Sequence, residues 1–275
     1  MNSHLLSLGR IEFINVAPVY YALEHNLIPH HFSIIRANPA RLNEKMQAGE
    51  LTISSCSSIE YARRWRNYVL ARDLSISSHA PVRSVLLLAK KDIEQWDGEE
   101  IFISGQSHTS VVLTKLILQE RYGFANTYRT GNVTQKINDG AIPEIILTIG
   151  DEALRLQKSA IYPKAYDLAS LWKDWTKLPF VFALWIVQKK AARTLVDDPT
   201  ESIRASRDMG LRNLTPVIQE VLGKTPLTHN ELERYYRESL TYSLGEKECQ
   251  GLERFYTMAH TAGYLAEVPK IEFLS

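Results

Sequence analysis

Four times in its first 151 residues the chain runs an apolar, strand-like stretch into small polar residues and then into helical spacing. The first run carries Leu6, Leu8, Ile11 and Phe13, stops at Asn15, and meets a helix opened by Pro18. Another ends in Ser54-Ser55-Cys56-Ser57-Ser58. A third ends in Ser104-Gly105-Gln106-Ser107-His108-Thr109-Ser110, and a fourth in Thr148-Ile149-Gly150-Asp151. Strand–helix alternation commits a chain to mostly parallel sheet, because parallel neighbours need a crossover. In open α/β sheets the carboxyl ends of the strands line the ligand crevice. Helix N-termini there offer free N–H groups and a positive partial charge. Hydroxyls beside them complement a carboxylate, so the expected ligand is a small organic anion.

Helix capping is the competing explanation for Ser57, Ser58, Thr109 and Asp151. It does not account for four polar strand ends in one chain, and one hydroxyl can serve both purposes. Arg10 and Arg83 fall near expected cleft edges, where a charge-assisted contact is possible as well as plain solvation. His108 has a side chain suited to proton transfer, but no carboxylate is placed beside it by sequence. Cys56 and Cys249 show no metal-ligand spacing, and Cys56 is read as a small buried filler.

Two long apolar stretches, 82–89 and 180–187, bracket the middle strand–helix set, and the chain beyond the second is helical. This predicts two lobes joined by two strands, with the ligand cleft between them and closure at those strands. The expected division is 1–88 with 184–275 for one lobe and 89–183 for an inserted second. Trp172, Trp175 and the run 178–183 are either pocket wall or core. With 32 basic and 31 acidic residues the chain has no field for nucleic acid or anionic lipid. The N-terminal stretch lacks the pattern of a secretory signal, so a cytoplasmic location is expected. Nucleotide-loop, metalloprotease and nucleophile-elbow motifs are absent from the sequence.

The segments together resemble the chorismate dehydratase family of the futalosine route to menaquinone. The resemblance is carried by RIEFINVAPVYYALE (10–24), SSIEYAR (57–63), PVRSVLLLAKK (81–91) and SHTSVVLTKLIL (107–118). It continues through TIGDEAL (148–154), YDLASLWKDWTKLPFVFALW (166–185) and GLERFYTMAHTAGYL (251–265), nearly end to end. It implies an α/β fold of the type II periplasmic-binding-protein kind, with mixed sheets, a cleft between lobes and a helical C-terminal segment. Lys177 stands where the family usually has Gly, and His108 where a smaller residue is expected.

The resemblance implies a hydro-lyase that converts chorismate to 3-[(1-carboxyvinyl)oxy]benzoate without a cofactor, acting as monomer or homodimer. In that reading Asn15 is catalytic and bonds the leaving hydroxyl. Ser57, Ser58, Arg83, Ser107, Thr109 and Ser110 hold the two carboxylates, and Gly150 and Asp151 complete the wall. No side chain is placed as base, so the substrate's own enolpyruvyl carboxylate is the candidate. Rival readings are a non-catalytic binding protein for small carboxylates and the later dihydroxynaphthoate synthase of the same pathway. A LysR-like ligand domain lacks support, because no basic helix-turn-helix segment precedes the first strand.

Overall fold

The computed structural model describes residues 5–79, 81–105, 108–193, 195 and 197–275. The chain begins with β1 (Leu6–Ile11), a 3-10 turn at Ile14–Val16, α1 (Ala17–Glu24), β2 (Phe32–Ala37) and α2 (Pro39–Gln47). β3 (Ile53–Ser57), α3 (Ser58–Arg64) and β4 (Tyr68–Ser78) come next. A second set holds β5 (Val85–Ala89), β6 (Glu100–Ser104), α4 (Thr109–Leu116), β7 (Thr127–Gly131) and α5 (Val133–Asn138). It ends with β8 (Ile145–Ile149), α6 (Gly150–Gln157), β9 (Lys164–Asp167) and α7 (Leu168–Thr176), after which β10 (Phe180–Gln188) returns.

The strands form two sheets of one plan, β2-β1-β3-β10-β4 and β7-β6-β8-β5-β9. In each, the fourth strand runs antiparallel to both neighbours, and it is the strand that enters just after a crossing between sheets. The expected boundaries at 88/89 and 183/184 fall inside β5 and β10. β5 pairs wholly in the second sheet, from Val85 opposite Ile149 to Ala89 opposite Ile145, and β10 wholly in the first. Each strand pairs its backbone groups in one sheet, so the sheets change between β4 and β5 and between β9 and β10.

The uninterrupted apolar run of β5 results from burial on both faces. Leu87 and Ala89 join the main core, while Leu86 and Leu88 join a smaller one with Phe102, Val133 and Ile146. α2 starts as its sequence demands: Pro39 comes after Asn38, whose side chain accepts the Arg41 N–H at 2.9 Å.

The C-terminal third is α8 (Lys189–Ala192), α9 (Thr200–Arg212), α10 (Leu214–Val221) and α11 (His229–Arg234). A π-helical turn at Tyr235–Ser239 leads to α12 (Glu246–Thr261). α9 lies so close to α1 that a Cβ on Gly210 would stand 2.1 Å from the Pro18 carbonyl oxygen. Among the described residues no helix is long and apolar enough to cross a membrane.

Candidate active site

The strand ends meet in a cavity of about 80 Å³ between the sheets. Asn15, Ser57, Ser84, Ser110 and Gly150 are its polar and backbone lining, and Ile11, Phe13, Ile76, Val85, Ile149, Phe182 and Ala183 its apolar wall. Larger surface grooves of about 350 and 510 Å³ lie elsewhere. They gather Leu6, Phe32 and Val69, at the amino ends of β1, β2 and β4, which is the wrong end of a parallel sheet for a ligand crevice.

β1 stops at Ile11, and the 3-10 turn carries Asn15 to the cavity. The Asn15 side-chain oxygen is buried without a hydrogen-bond partner among the described residues, as is the Ser57 hydroxyl. The N-cap residues of α3, α4 and α6, which are Ser57, His108 and Ile149, give those helices no side-chain cap. Capping is instead the work of Asn38, Asn132, Asp167 and Thr228. α3, α4 and α6 thus take no side-chain cap from their own N-cap positions.

Ser58 and Thr109 point away from the cavity and toward each other. Their hydroxyls lie 3.3 Å apart, Ser58 donates to the Val181 carbonyl at 2.9 Å, and Thr109 accepts the Ile59 N–H at 3.1 Å. A hydroxyl of the second set of strands therefore caps a helix of the first. Arg10 is used structurally, paired with Glu24 at 2.9 Å. Arg83 has a left-handed backbone, φ 62°, and is fixed by its N–H to Asp167 at 2.7 Å. The residue is half-buried, is not part of the cavity lining, and forms no ion pair among the described residues. Ser107 lies outside the described residues.

Gly150 has two reasons to be glycine. Its φ is +60°, and an added Cβ would press on the Phe13 ring at 3.0 Å. Its N–H donates to the Ser84 carbonyl at 2.7 Å, which ties α6 to the start of β5. Asp151, next along, turns its carboxyl toward the Ile14 N–H. Burial pushes that carboxyl up to about 6, partly offset by this N–H and by Arg155. Its Oδ1 has no hydrogen-bond partner among the described residues. His108 is half-buried at the start of α4, lowered from its ordinary value by burial and by Arg63, and is not part of the cavity lining.

Ser84 escapes any search for strands that end in polar residues, because it precedes a strand. β5 is antiparallel to β8, so its amino end lies at the same edge as the carboxyl end of β8, with Val85 opposite Ile149. β10 obeys the same logic and brings Phe182 and Ala183 to the wall, with Ala183 opposite Ser57. Trp172 belongs to the core, edge-on to Phe180 and Phe255. Cys56 is buried, with its thiol pushed up to about 12, the behaviour of a filler and not of a nucleophile.

The model of a family described as menaquinone biosynthesis matches residues 6–261. The chain is 30% identical to the chorismate dehydratase of Thermus thermophilus, over 93% of this chain and 94% of that one. Among solved structures, a protein of Archaeoglobus fulgidus superposes with a TM-score of 0.79 at 18% identity, covering 96% of this chain and all of the other (100%). The alkanesulfonate-binding protein of Xanthomonas axonopodis pv. citri, bound to MOPS, gives 0.68 at 13% identity, covering 100% of this chain and 97% of that one. The fold is therefore the expected periplasmic-binding-protein-like one.

Proposed function

The chain belongs to the menaquinone-biosynthesis family, and from that premise we infer that it dehydrates chorismate to 3-[(1-carboxyvinyl)oxy]benzoate. It is an enzyme, a carbon–oxygen hydro-lyase. The observation that carries the reading is the relationship over nearly the whole chain, joined to a cavity with an apolar slot and a rim of amide and hydroxyls.

The reaction asks for little. A proton leaves C3, the C3–H electron pair becomes a ring double bond, the C4–O bond breaks, and water departs. The ring carboxylate, conjugated to C3 through the ring alkene, makes that proton acidic. In our proposal Ser57, Ser84 and Ser110 stabilise charge that builds on the carboxylates, in the manner of an oxyanion hole. Arg83 adds a charge-assisted contact beside Ser84. Asn15 donates its amide N–H to the departing C4 hydroxyl. Ile11, Phe13, Ile149 and Phe182 hold the ring. The substrate's enolpyruvyl carboxylate takes the C3 proton, with positioning as the protein's main contribution.

Sites for small molecules usually measure roughly 300–1,000 Å³. A cavity of about 80 Å³ therefore supports a closed state, which opens by bending between β4 and β5 and between β9 and β10. In this proposal residues 5–78 with 180–275 form one lobe and 85–167 the other. Ser58 and Thr109 fasten closure and do not touch ligand. A cytoplasmic location belongs to the same proposal. The test is incubation of the purified protein with chorismate, followed by ultraviolet absorbance for the aromatic ether. Tight binding of chorismate with no aromatic product would instead make the protein a receptor.

A further inference from the structure

Three phenols of the C-terminal segment reach the two turns that carry the site. Tyr236 donates to the Ile14 carbonyl at 3.0 Å and Tyr242 to the Asn15 carbonyl at 2.9 Å. Tyr235 donates to the Ser84 hydroxyl at 2.8 Å. All three side chains are buried, so water does not compete for these bonds.

For the bond from Tyr236, satisfying the acceptor is not a sufficient reason. The Ile14 carbonyl already accepts the Ala17 N–H within the 3-10 turn. A phenol more than two hundred residues away adds direction to that peptide and no new pairing it lacked. Tyr235 and Tyr236 are neighbours at the head of the π-helical turn, their rings 5.6 Å apart and inclined at 46°. One grips the start of β5 and the other the end of β1, two segments about seventy residues apart along the chain. Widened turns of this kind recur at functional sites, where they re-aim side chains.

We propose that Tyr235, Tyr236 and Tyr242 are positioning residues for the dehydration, a clamp that fixes Asn15 and Ser84 in one geometry relative to each other. The C-terminal helices thereby set the alignment of the site as well as covering the core. The inference rests on the reading of Asn15 as the group that faces the leaving hydroxyl. A misplacement of about 1 Å can cost on the order of 10²-fold in rate.

Phenylalanine substitutions remove one oxygen and keep the ring. Tyr242→Phe and Tyr236→Phe are expected to lower kcat by about 10- to 100-fold with KM little changed. Tyr235→Phe, which releases Ser84, is expected to raise KM more than it lowers kcat. Tyr61→Phe is the control: its hydroxyl donates to the Lys270 carbonyl at 2.6 Å and accepts the Glu272 N–H at 3.0 Å, away from the cavity. It should lose stability and keep kcat. Equal kcat in Tyr242→Phe, Tyr236→Phe and Tyr61→Phe would reduce the clamp to ordinary packing. A readout independent of turnover is the side-chain amide resonance pair of Asn15 in ¹⁵N-labelled protein. It should shift or broaden in Tyr242→Phe and stay in place in Tyr61→Phe. If the wild type leaves chorismate unchanged, the dehydratase reading falls, and this comparison still decides the clamp, with unmoved Asn15 resonances overturning it.

Discussion

Ser57 and Ser58 are neighbours, as are Thr109 and Ser110, and within each pair the two hydroxyls have opposite fates. Ser57 and Ser110 line the cavity. Ser58 and Thr109 turn to each other and to backbone groups across the junction of the sheets. The same sequence signal, small hydroxyls where a strand meets a helix, thus supplies both a cavity rim and a fastening. What separates them is direction. Consecutive residues of a strand face opposite ways, and those of a helix point about 100° apart, so one step along the chain exchanges cavity for protein as neighbour.

The comparison predicts that groups facing the cavity govern turnover, while groups facing protein govern stability and closure. Asn15 is the sharpest case. Its side-chain oxygen is buried without a hydrogen-bond partner among the described residues, an arrangement that costs stability. Asn15→Ala should lower kcat by about 10²–10³-fold, the usual loss of one transition-state donor, with chorismate affinity nearly unchanged. Steady-state kinetics with an equilibrium binding measurement would check it. Aromatisation at the native rate by the variant would remove Asn15 from the chemistry.

Asp151 tests the same division through pH. Its carboxyl titrates near 6 in the folded protein because burial disfavours the charge, against an ordinary value near 3.8. The folded state therefore holds this proton more tightly than the unfolded chain does. Stability from this group falls as pH rises from about 4 through about 6, and the whole penalty is present above that. Asp151→Asn removes the penalty, worth at most about 3 kcal/mol by the usual conversion. The variant should melt higher than wild type at pH 7.5, with the gap closing toward pH 4. A lower melting temperature at pH 7.5 would show that the carboxylate is well satisfied by the Ile14 N–H after all.

The two neighbouring pairs can be tested directly. Thr109→Val keeps shape but leaves the Ile59 N–H without its acceptor, at a cost of roughly 1–3 kcal/mol. Ser57→Ala removes a hydroxyl that has no partner among the described residues, so the melting temperature should hold or rise while KM increases. Denaturant curves and kinetics on both variants would decide the matter. A kinetic defect in Ser57→Ala no greater than in Thr109→Val would dissolve the distinction between rim and fastening. Combining Ser58→Ala with Thr109→Val should cost less than the sum of the single changes, since the hydroxyls share one contact.

Much of this is legible in the sequence because it depends on local rules. The strand–helix alternation, Pro39 at the first turn of α2 and the doubly buried β5 stem from periodicity and from proline's fixed φ. Asn15, Ser57, Ser110 and Gly150 are legible as polar ends of parallel strands. Ser84 is not, because its place depends on β5 running antiparallel, a fact of pairing that no window of sequence contains. Nor are Tyr235, Tyr236 and Tyr242, which act on turns far away along the chain. Whether Ser57 or Ser58 faces the cavity depends on where β3 gives way to α3, and a shift of one residue reverses the answer.

Lys177 and Arg83 extend the comparison to the backbone. Both hold left-handed conformations, φ 65° and φ 62°, which cost an L-residue roughly 1–2 kcal/mol relative to glycine. Lys177 ends α7, its N–H bonded to the Lys173 carbonyl at 2.8 Å, in the position that helices usually give to glycine. Among the described residues, its exposed side chain sets against that strain only one bond, from Nζ to the Asp174 carbonyl. Lys177→Gly should therefore stabilise the protein, by about 0.5–1 kcal/mol once the greater freedom of glycine in the unfolded chain is deducted, and leave kinetics unchanged. Arg83→Gly relieves the same strain, but it also removes the guanidinium proposed to contact the substrate, so under that proposal a similar gain in stability should come with a higher KM for chorismate. Two glycine variants with matching melting temperatures and different KM values would show that strain at Arg83 is kept for the ligand, and at Lys177 for nothing the fold requires. Matching KM values would place Arg83 with Lys177, outside the site.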